Sequence, residues 1–245
     1  MNGVALSAVD PSIRVLDIQP GEVKQTIRTN RVTGRPGARI EKAEVESVSV
    51  NVMFEIREYD TRKRQQICQK VQEWARSGTL TVSDRPNQKL RAVCEDFPTA
   101  GAKGWTDQLT IGFIGYNPPY WEETYRTVVE FDAAGSQSAF VPGNVPECLV
   151  SATVTAAAAI TSITVGVNGK NIELTGLTVA SGDKVYIGYD DNLILYIRHG
   201  STSILDKRTA ASVDDLKAEC GKQNTFTVSA SGNVTAKMYA RGCWY

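Results

Sequence analysis

The segment VSVNVMFEIRE, from Val48 to Glu58, decides the fold class because its residue types alternate with a period of two. Every second position is apolar, at Val48, Val50, Val52, Phe54 and Ile56. Successive side chains of a strand point to opposite faces of the sheet, so this segment predicts a strand with one buried face.

The segment that follows predicts a helix over Thr61 to Ser77. Asp60 or Thr61 can cap its start, and Gly78 predicts a left-handed stop at its end. Apolar residues recur at helical spacing, at Ile67, Val71, Trp74 and Ala75. We expect Ile67, Val71 and Trp74 to be buried against the sheet that contains Val50, Val52 and Phe54, and Trp74→Ala to cost about 3 to 5 kcal/mol.

Short strands follow the helix. Leu80 and Val82 resume the alternation, Arg85 to Gln88 predicts a turn with Pro86 in its second position, and Leu90 to Cys94 predicts the returning strand. Leu109 to Phe113 predicts a further strand, which ends at NPPYWE, Asn117 to Glu122.

Upstream, Lys24 to Arg39 has β-favouring residues but only two large apolar side chains, Ile27 and Val32. This stretch predicts an exposed hairpin or extended arm. Its basic residues are Lys24, Arg28, Arg31, Arg35 and Arg39, with Lys42 just beyond. One interpretation is that they contact phosphates, and the second is that they form a solvated face or a protein interface. The second interpretation is favoured because aromatic stacking residues are missing from the stretch.

The C-terminal half predicts an antiparallel β-sandwich. Its strand signals recur at short intervals with turn signals between them. The predicted strands are Leu149 to Thr155, Ser162 to Val167, Asn171 to Leu174, Lys184 to Tyr189, Leu193 to Arg198, Thr225 to Ser229 and Val234 to Trp244. Asn168-Gly169 suits a type I′ turn, and Ser212 to Lys217 suits a short helix.

The composition also predicts two domains. Asp132 to Gly143, DAAGSQSAFVPG, is typical of a linker, and Arg gives way to Ala and Thr beyond it. We place the boundary between about residues 120 and 145, with domains at 1–128 and 129–245.

Composition and charge exclude several classes of protein. The chain has 245 residues, of which 42% are hydrophobic, and its 27 Lys and Arg balance its 27 Asp and Glu. Zero net charge argues against a protein that coats nucleic acid. Met1 to Pro11 predicts no secretory signal, and no apolar run is long enough to cross a bilayer.

No set of residues predicts catalysis, a metal or a cofactor. His199 is the only histidine, and the pairs Asp190-Asp191 and Asp214-Asp215 lie where turns and helix starts favour Asp. The five cysteines are far apart and lack CxxC spacing, which predicts reduced thiols; they are Cys68, Cys94, Cys148, Cys220 and Cys243. The catalytic, cofactor and metal sites are therefore all predicted to be absent.

Aromatic residues cluster around the last strand of the first half, at Trp105, Tyr116, Tyr120 and Trp121. Exposed aromatics of this kind can bind sugar rings or a partner protein. A packing role is equally compatible with them, because Pro118-Pro119 stiffens the chain there.

The order of these elements resembles the distal tail proteins of long-tailed siphophages, including prophage-encoded tail components. The matching segments are VSVNVMFEIRE, TRKRQQICQKVQEWA (Thr61 to Ala75), SDRPNQ (Ser83 to Gln88) and NPPYWE. Arg85-Pro86-Asn87 stands where the family has an RPG-like element, and Asn87 in place of glycine keeps a positive φ accessible. Asn168 to Leu216 is similar to the C-terminal sandwich of the family.

The resemblance implies a mainly β fold: an N-terminal tail-tube-like β-sandwich with one α-helix, followed by a galectin-like antiparallel β-sandwich. It also implies a non-enzymatic protein of the virion tail tip, made in the host cytoplasm, that forms a ring, most simply a hexamer. The implied partners are the tail tube protein and the tail-associated hub or receptor-binding proteins, with DNA only as passing cargo and no membrane insertion.

Two alternatives remain open at the level of sequence. One is a carbohydrate-binding module, suggested by the second sandwich and the aromatic residues. The other is a glycoside-active enzyme, suggested by the Asp pairs.

Overall fold

The computed structural model describes residues 1–31, 33, 36, 38–99 and 106–245, which form two compact units. The first unit comprises Met1–Trp121 together with Tyr245, and the second comprises Glu122–Trp244. Elements of the first unit are a 3₁₀ helix (Leu6–Ala8), β1 (Ile13–Asn30), β2 (Arg39–Arg57), α1 (Thr61–Ala75), β3 (Ser77–Val82), β4 (Arg85–Asp96) and β5 (Thr106–Gly115).

The strands of the first unit are antiparallel and follow the order β1-β2-β5-β4, with β3 also paired to β4. Val50 lies opposite Phe113 and Val52 opposite Ile111, so the apolar side chains of β2 and β5 share one face of the sheet. All four of these residues are buried, as is Phe54. The strand predicted over Val48 to Glu58 is confirmed, and the chain is mainly β as predicted.

Helix α1 begins at the predicted cap. The Asp60 carboxylate accepts hydrogen bonds from the backbone N–H groups of Arg62, at 2.8 Å, and Lys63, at 3.4 Å. The helix ends at Ala75 rather than Ser77, and the predicted role of Gly78 is wrong. Gly78 has a φ of +145° but lies inside β3, since the chain passes from the helix almost directly into the strand.

The helix packs on the predicted face of the sheet. Ile67 and Val71 are buried, and the Trp74 ring meets the Phe113 ring edge to face, with centroids 6.1 Å apart. Trp74 itself is only half-buried, and its Nε1 donates to the carbonyl O of Val4 at 2.9 Å. The expected burial is therefore correct for Ile67 and Val71 and wrong for Trp74.

The turn predicted at Arg85 to Gln88 is displaced in the structure. The chain turns at Ser83 and Asp84, and Arg85, Pro86 and Asn87 already belong to β4. Asn87 does not adopt a positive φ. The proline suggested the turn, but Pro86 occupies the second residue of the strand instead.

The second unit holds two antiparallel sheets. Its strands are β6 (Trp121–Phe131), whose first residue belongs to the first unit, β7 (Gly135–Val141), β8 (Glu147–Ala156), β9 (Ile160–Val167), β10 (Lys170–Val179), β11 (Lys184–Tyr189), β12 (Leu195–His199), β13 (Thr202–Ser203), β14 (Lys217–Glu219), β15 (Lys222–Ala230) and β16 (Val234–Trp244). A second 3₁₀ helix spans Leu205–Lys207. One sheet follows the order β6-β16-β8-β11-β12-β13, with β14 paired to β8, and the other follows β10-β9-β15-β7.

The strands predicted for this half are confirmed, and burial alternates along β8, β15 and β16 as it does in a sandwich. Asn168 and Gly169 both have positive φ, 52° and 80°, as a type I′ turn requires. Two expectations are wrong. The linker predicted over Asp132 to Gly143 contains β7, which pairs with β15, and Ser212 to Lys217 forms bends and the start of β14 instead of a helix.

Within the described residues, no helix has the length and apolar character needed to cross a membrane.

The cap of α1 gives a first testable expectation. Replacing Asp60 with alanine removes the acceptor for two N–H groups of the first turn, and we expect a loss of about 1 kcal/mol in the free energy of unfolding. Asp60→Asn is the matched control, since an Asn side chain retains the accepting oxygen. Urea unfolding of both variants measures the effect, and equal losses in the two would contradict the capping role.

Candidate interaction surface

β1 and β2, the two longest of the described strands, extend past the rest of their sheet and form an arm there. β2 pairs with β5 only from Val48 to Arg57, whereas β1 and β2 remain paired with each other as far as Asn30 and Arg39. We call the residues Lys24–Asn30 and Arg39–Ser47 the arm. Among the described strands, β1 and β2 have only each other as partners there, which agrees with the predicted exposed hairpin.

Large apolar side chains are exposed on the arm and along β1. Ile27 is 52% exposed and Ile40 is 62% exposed, and Val15, Leu16 and Val23 are exposed to a smaller extent. β1 is the last strand of its sheet in the first unit, so its outer edge presents backbone groups without a sheet partner among the described strands. Isolated two-stranded ribbons are marginally stable in water, and apolar residues at an open edge favour contact with another chain.

The arm also carries charges of both signs. Lys24 lies 3.4 Å from the Glu46 carboxylate, and Lys42 forms an ion pair with Glu44. Hydrogen bonds from Thr26 and Lys24 lower the pKa of Glu46. Arg28, Arg31 and Arg39 form no ion pair within the part of the chain that the structure describes, and Arg35 and Val32 lie outside the described residues.

A bulge at Gly21 marks the base of the arm. The register between β1 and β2 shifts between Pro20, opposite Val50, and Val23, opposite Val48. A Cβ atom at Gly21 would lie 2.2 Å from the Ser49 Oγ and 2.7 Å from the Ser49 backbone carbonyl. The two strands approach so closely here that only glycine fits.

We expect Gly21→Ala to lower the free energy of unfolding by about 1 to 3 kcal/mol, because the new methyl group would force the β1 and β2 backbones apart. Gly135→Ala is the matched control, since its new Cβ would have no neighbour closer than 4.0 Å. Thermal unfolding of the two variants measures the difference, and equal melting temperatures would show that the base of the arm adjusts freely.

A pocket of about 220 Å³ opens beside this bulge, within the first unit. Its walls are mostly apolar: Ile18, Pro20, Gly21, Val23, Val48, Ser49, Val50, Val82, Asp84, Arg85, Trp121 and Tyr245. Arg85 is the positively charged residue in the wall of this pocket. The guanidinium lies 5.2 Å from the centre of the Trp121 ring and donates to the backbone O of Tyr245 at 3.2 Å.

This arrangement decides the role of one aromatic residue. Trp121 is 2% exposed beneath Arg85, so it packs in the first unit and is not an exposed sugar platform. Tyr116 is exposed, and Trp105 lies outside the described residues. The sequence offered no signal for the role of Arg85, because the stacking depends on how β4 is placed.

The candidate catalytic residues have local structural roles. The His199 Nε2 lies 3.0 Å from the Asp183 carboxylate, and the Asp190 carboxylate accepts from the backbone N–H groups of Asn192 and Ile194. Asp214 pairs with Arg208 at 2.9 Å, and Asp215 lies 3.7 Å from Lys217. Among the described residues, no three His, Cys, Asp or Glu side chains are arranged to hold a metal ion.

Three of the cysteines come together, which the sequence did not suggest. All five are buried free thiols. Cys148, Cys220 and Cys243 lie on neighbouring segments of the second unit. A Cβ atom at Gly143 would lie 3.0 Å from the Cys220 Cβ and 2.3 Å from the Cys243 carbonyl O, and Cys148 lies opposite Ala218 in the pairing of β8 with β14. These three cysteines are far apart in sequence, so we expected them to be far apart in the fold. The pairing of β8 with β14 and β16 brings their segments together.

No protein-family model matches the chain, and no curated protein is similar to it in sequence. Solved structures do resemble it. The crystal structure of the Dit protein of phage SPP1, described as a paradigm of the hub adsorption apparatus in phages that infect Gram-positive bacteria, is 12% identical. The similarity covers 95% of each chain with a TM-score of 0.75, so the two proteins share a fold.

Two baseplate structures of phage P2 in its activated conformation, one with Ca and one with Sr, also match, at 10% and 8% identity. The match covers 94% of this chain and 90% of the other chain in both cases, with TM-scores of 0.46 and 0.45.

Proposed function

We propose that this protein is a structural component of the tail tip of a long-tailed phage or prophage. In this proposal its first unit forms a ring, most simply a hexamer, that joins the tail tube to the tail-associated hub or receptor-binding proteins. DNA crosses the central channel only as passing cargo. The protein acts mechanically, without catalysis or a cofactor.

One observation carries the proposal: the fold is shared with the SPP1 Dit protein across 95% of both chains. The similarity extends over both units of the chain. The carbohydrate-binding alternative accounts for the second unit alone. Fold by itself does not fix function, so the proposal also needs a surface suited to assembly.

The arm and the edge of β1 supply that surface. The arm has exposed Ile27 and Ile40 and three arginines without ion pairs among the described residues, and Arg is favoured in protein contacts. A second copy of this chain that pairs along β1 would cover both the open edge and the apolar side chains. In this proposal β1 of one copy meets a different surface of the next copy, which is a head-to-tail contact. A series of head-to-tail contacts that closes on itself gives a ring.

The remaining assignments follow the family resemblance. The first domain, proposed as residues 1–128, is tail-tube-like and contacts the tail tube protein. The second, proposed as residues 129–245, is a galectin-like sandwich outside the ring. The protein is made in the host cytoplasm and resides in the virion tail tip.

Imaging of assembled tails that carry this protein with a label tests the proposal. We expect the label at the distal end of the tail tube, in an assembly with a central channel. A label elsewhere on the particle, or an assembly without a channel, would remove the proposed function. A purified monomer that binds sugars and is absent from tails would favour the carbohydrate-binding alternative.

The arm gives a sharper expectation. The double variant Ile27→Asp, Ile40→Asp should keep the melting temperature of the wild type, because both side chains are exposed, and should lose incorporation into tails at least tenfold. Ile194→Asp is the matched control, since Ile194 is 62% exposed in the second unit and lies away from the arm in sequence. Normal incorporation of the double variant would exclude the arm as an assembly contact.

A further inference from the structure

One face of the sheet β6-β16-β8-β11-β12-β13 in the second unit is turned away from the buried core, and we call it the outer face. Burial alternates along β8, so its half-buried Ser151, Thr153 and Thr155 lie on the outer face. Their hydroxyl groups form no hydrogen bond with other described residues. The middle of the outer face is therefore a column of hydroxyls that can donate and accept hydrogen bonds.

Tyrosines and cations flank this column. Thr153 lies opposite Lys237 of β16 on one side and opposite Tyr186 of β11 on the other, and Tyr186 lies opposite Arg198 of β12. Residues directly opposite each other in antiparallel strands share a face, so this row crosses the outer face. Neighbouring strands lie about 4.8 Å apart, which puts the two ends of the row about 14 Å apart. The row therefore suits an extended ligand.

Two arginines of the outer face are held over tyrosine rings. The Arg198 guanidinium lies 4.8 Å from the centre of the Tyr196 ring, and the Arg126 guanidinium lies 5.7 Å from the centre of the Tyr239 ring. Tyr239 in turn lies opposite Ser151 of the hydroxyl column. A guanidinium stacked on a ring keeps the N–H donors at its edge available, and their fork matches a planar carboxylate. Each stacked arginine is thus prepared to bind an anion.

The cations of the outer face are only partly neutralised. Lys237 pairs with Glu130 of β6 at 2.6 Å. Arg126, Lys184 and Arg198 form no ion pair within the part of the chain that the structure describes. Unpaired cations on one face attract a ligand of opposite charge.

We propose that the outer face binds an acidic polysaccharide, whose sugar rings carry carboxylate groups. Arg126 and Arg198 each bind one carboxylate through two hydrogen bonds from the guanidinium. The sugar hydroxyls bond to the hydroxyl column, and one sugar ring lies on Tyr186, which is exposed and has no guanidinium over its ring among the described residues. The inference uses the second unit alone and stands whether or not the protein belongs to a phage tail.

Two other anionic partners fit the outer face less well. A protein partner would place an apolar contact core over the centre of the face, where the hydroxyl column would lose water without gaining partners. Single-stranded nucleic acid needs successive open aromatic rings, whereas Arg126 and Arg198 cover Tyr239 and Tyr196. An acidic polysaccharide supplies hydroxyls for the column and anions for the arginines together.

Polygalacturonate added to the purified full-length protein tests the outer face by isothermal titration calorimetry. We expect it to bind roughly tenfold or more tightly than dextran, a neutral polysaccharide, and than polyglutamate, which has carboxylates without sugar rings. Arg198→Gln and Tyr186→Ala should each weaken binding roughly fivefold or more. Arg62→Gln is the matched control, because it removes one exposed cation from α1 and should leave the affinity unchanged.

The proposal is overturned by any of four kinds of result. Polygalacturonate fails to bind, polyglutamate binds equally well, a single-stranded DNA oligonucleotide binds more tightly, or Arg198→Gln or Tyr186→Ala keeps the affinity of the wild type. If a variant fails to fold, hydrogen exchange of the wild-type protein decides. Polygalacturonate should slow exchange in β8, β11 and β12 and leave α1 unchanged, and protection confined to other elements would contradict the proposal.

Discussion

Replacing Arg64 with alanine is expected to lower the free energy of unfolding of the first unit by about 3 to 5 kcal/mol. Arg64 is 1% exposed in the first half of α1. Its Nη1 donates to the carbonyl O atoms of Glu58, at 2.7 Å, and Tyr59, at 3.2 Å, and its Nη2 donates to the Thr61 Oγ1 at 3.2 Å. Alanine would leave a cavity and remove the donors for two carbonyls at the entry to the helix.

Two variants control this experiment. Arg62→Ala removes an exposed arginine two residues earlier and should change stability by less than about 0.5 kcal/mol. Arg64→Lys keeps a cation but loses the forked donors, so we expect an intermediate loss. Urea midpoints of the three variants measure the order. A loss below about 1 kcal/mol in Arg64→Ala would show that water replaces the guanidinium.

Arg64 also shows how far the helix was predictable. The apolar stripe of α1 was found at Ile67 and Val71, and Arg64 lies three residues before Ile67, on the same stripe. The periodicity therefore pointed to a buried position. Residue type misled the prediction, because arginine is rarely buried unless its donors find partners. Two of the three partners of Arg64 are backbone carbonyls, which no pattern of side chains reveals.

Edge strands were harder to predict than central strands. Val48 to Glu58 is buried on one face and alternates clearly, whereas β7, with sequence GSQSAFV, is exposed along most of its length and was mistaken for a linker. β7 lies at the end of its sheet and pairs with β15 alone among the described strands. An edge strand needs few apolar residues, so its period-two signal is weak.

The interaction surface was predictable only in part. A low count of apolar residues was enough to predict an exposed arm over Lys24 to Arg39. The pocket at its base depends on the bulge at Gly21 and on the stacking of Arg85 over Trp121. The approach of the Cys148, Cys220 and Cys243 segments depends on the registers of β8, β14 and β16, which join residues far apart in sequence. Spacing along the chain carries no information on such convergence.

Replacing Asn224 with alanine should lower the free energy of unfolding of the second unit by about 3 kcal/mol or more. Asn224 lies in β15 and is 1% exposed. Its Oδ1 accepts from the Asn168 Nδ2 at 2.8 Å and the Glu219 N–H at 2.7 Å, and its Nδ2 donates to the carbonyl O atoms of Glu219, at 2.9 Å, and Lys222, at 3.0 Å. Alanine would leave several of these partly buried groups without partners at once.

The matched variants separate hydrogen bonding from packing. Gln223→Ala changes the exposed neighbour on the other face of β15 and should cost less than about 0.5 kcal/mol. Asn224→Asp keeps the volume but sets a carboxylate against two carbonyl oxygens, which raises the pKa of the new carboxyl above its value of about 3.9 in the unfolded chain. Protonation restores one donor, so its loss relative to the wild type should be largest at neutral pH and shrink as the pH falls towards about 4. Urea unfolding at both pH values measures this, and a loss independent of pH would mean that water already solvates the site.

The hydrogen bonds of Asn224 also fix the segment from Glu219 to Lys222, which contains Cys220. The Cys220 thiol should therefore react with an alkylating reagent faster in Asn224→Ala than in Gln223→Ala.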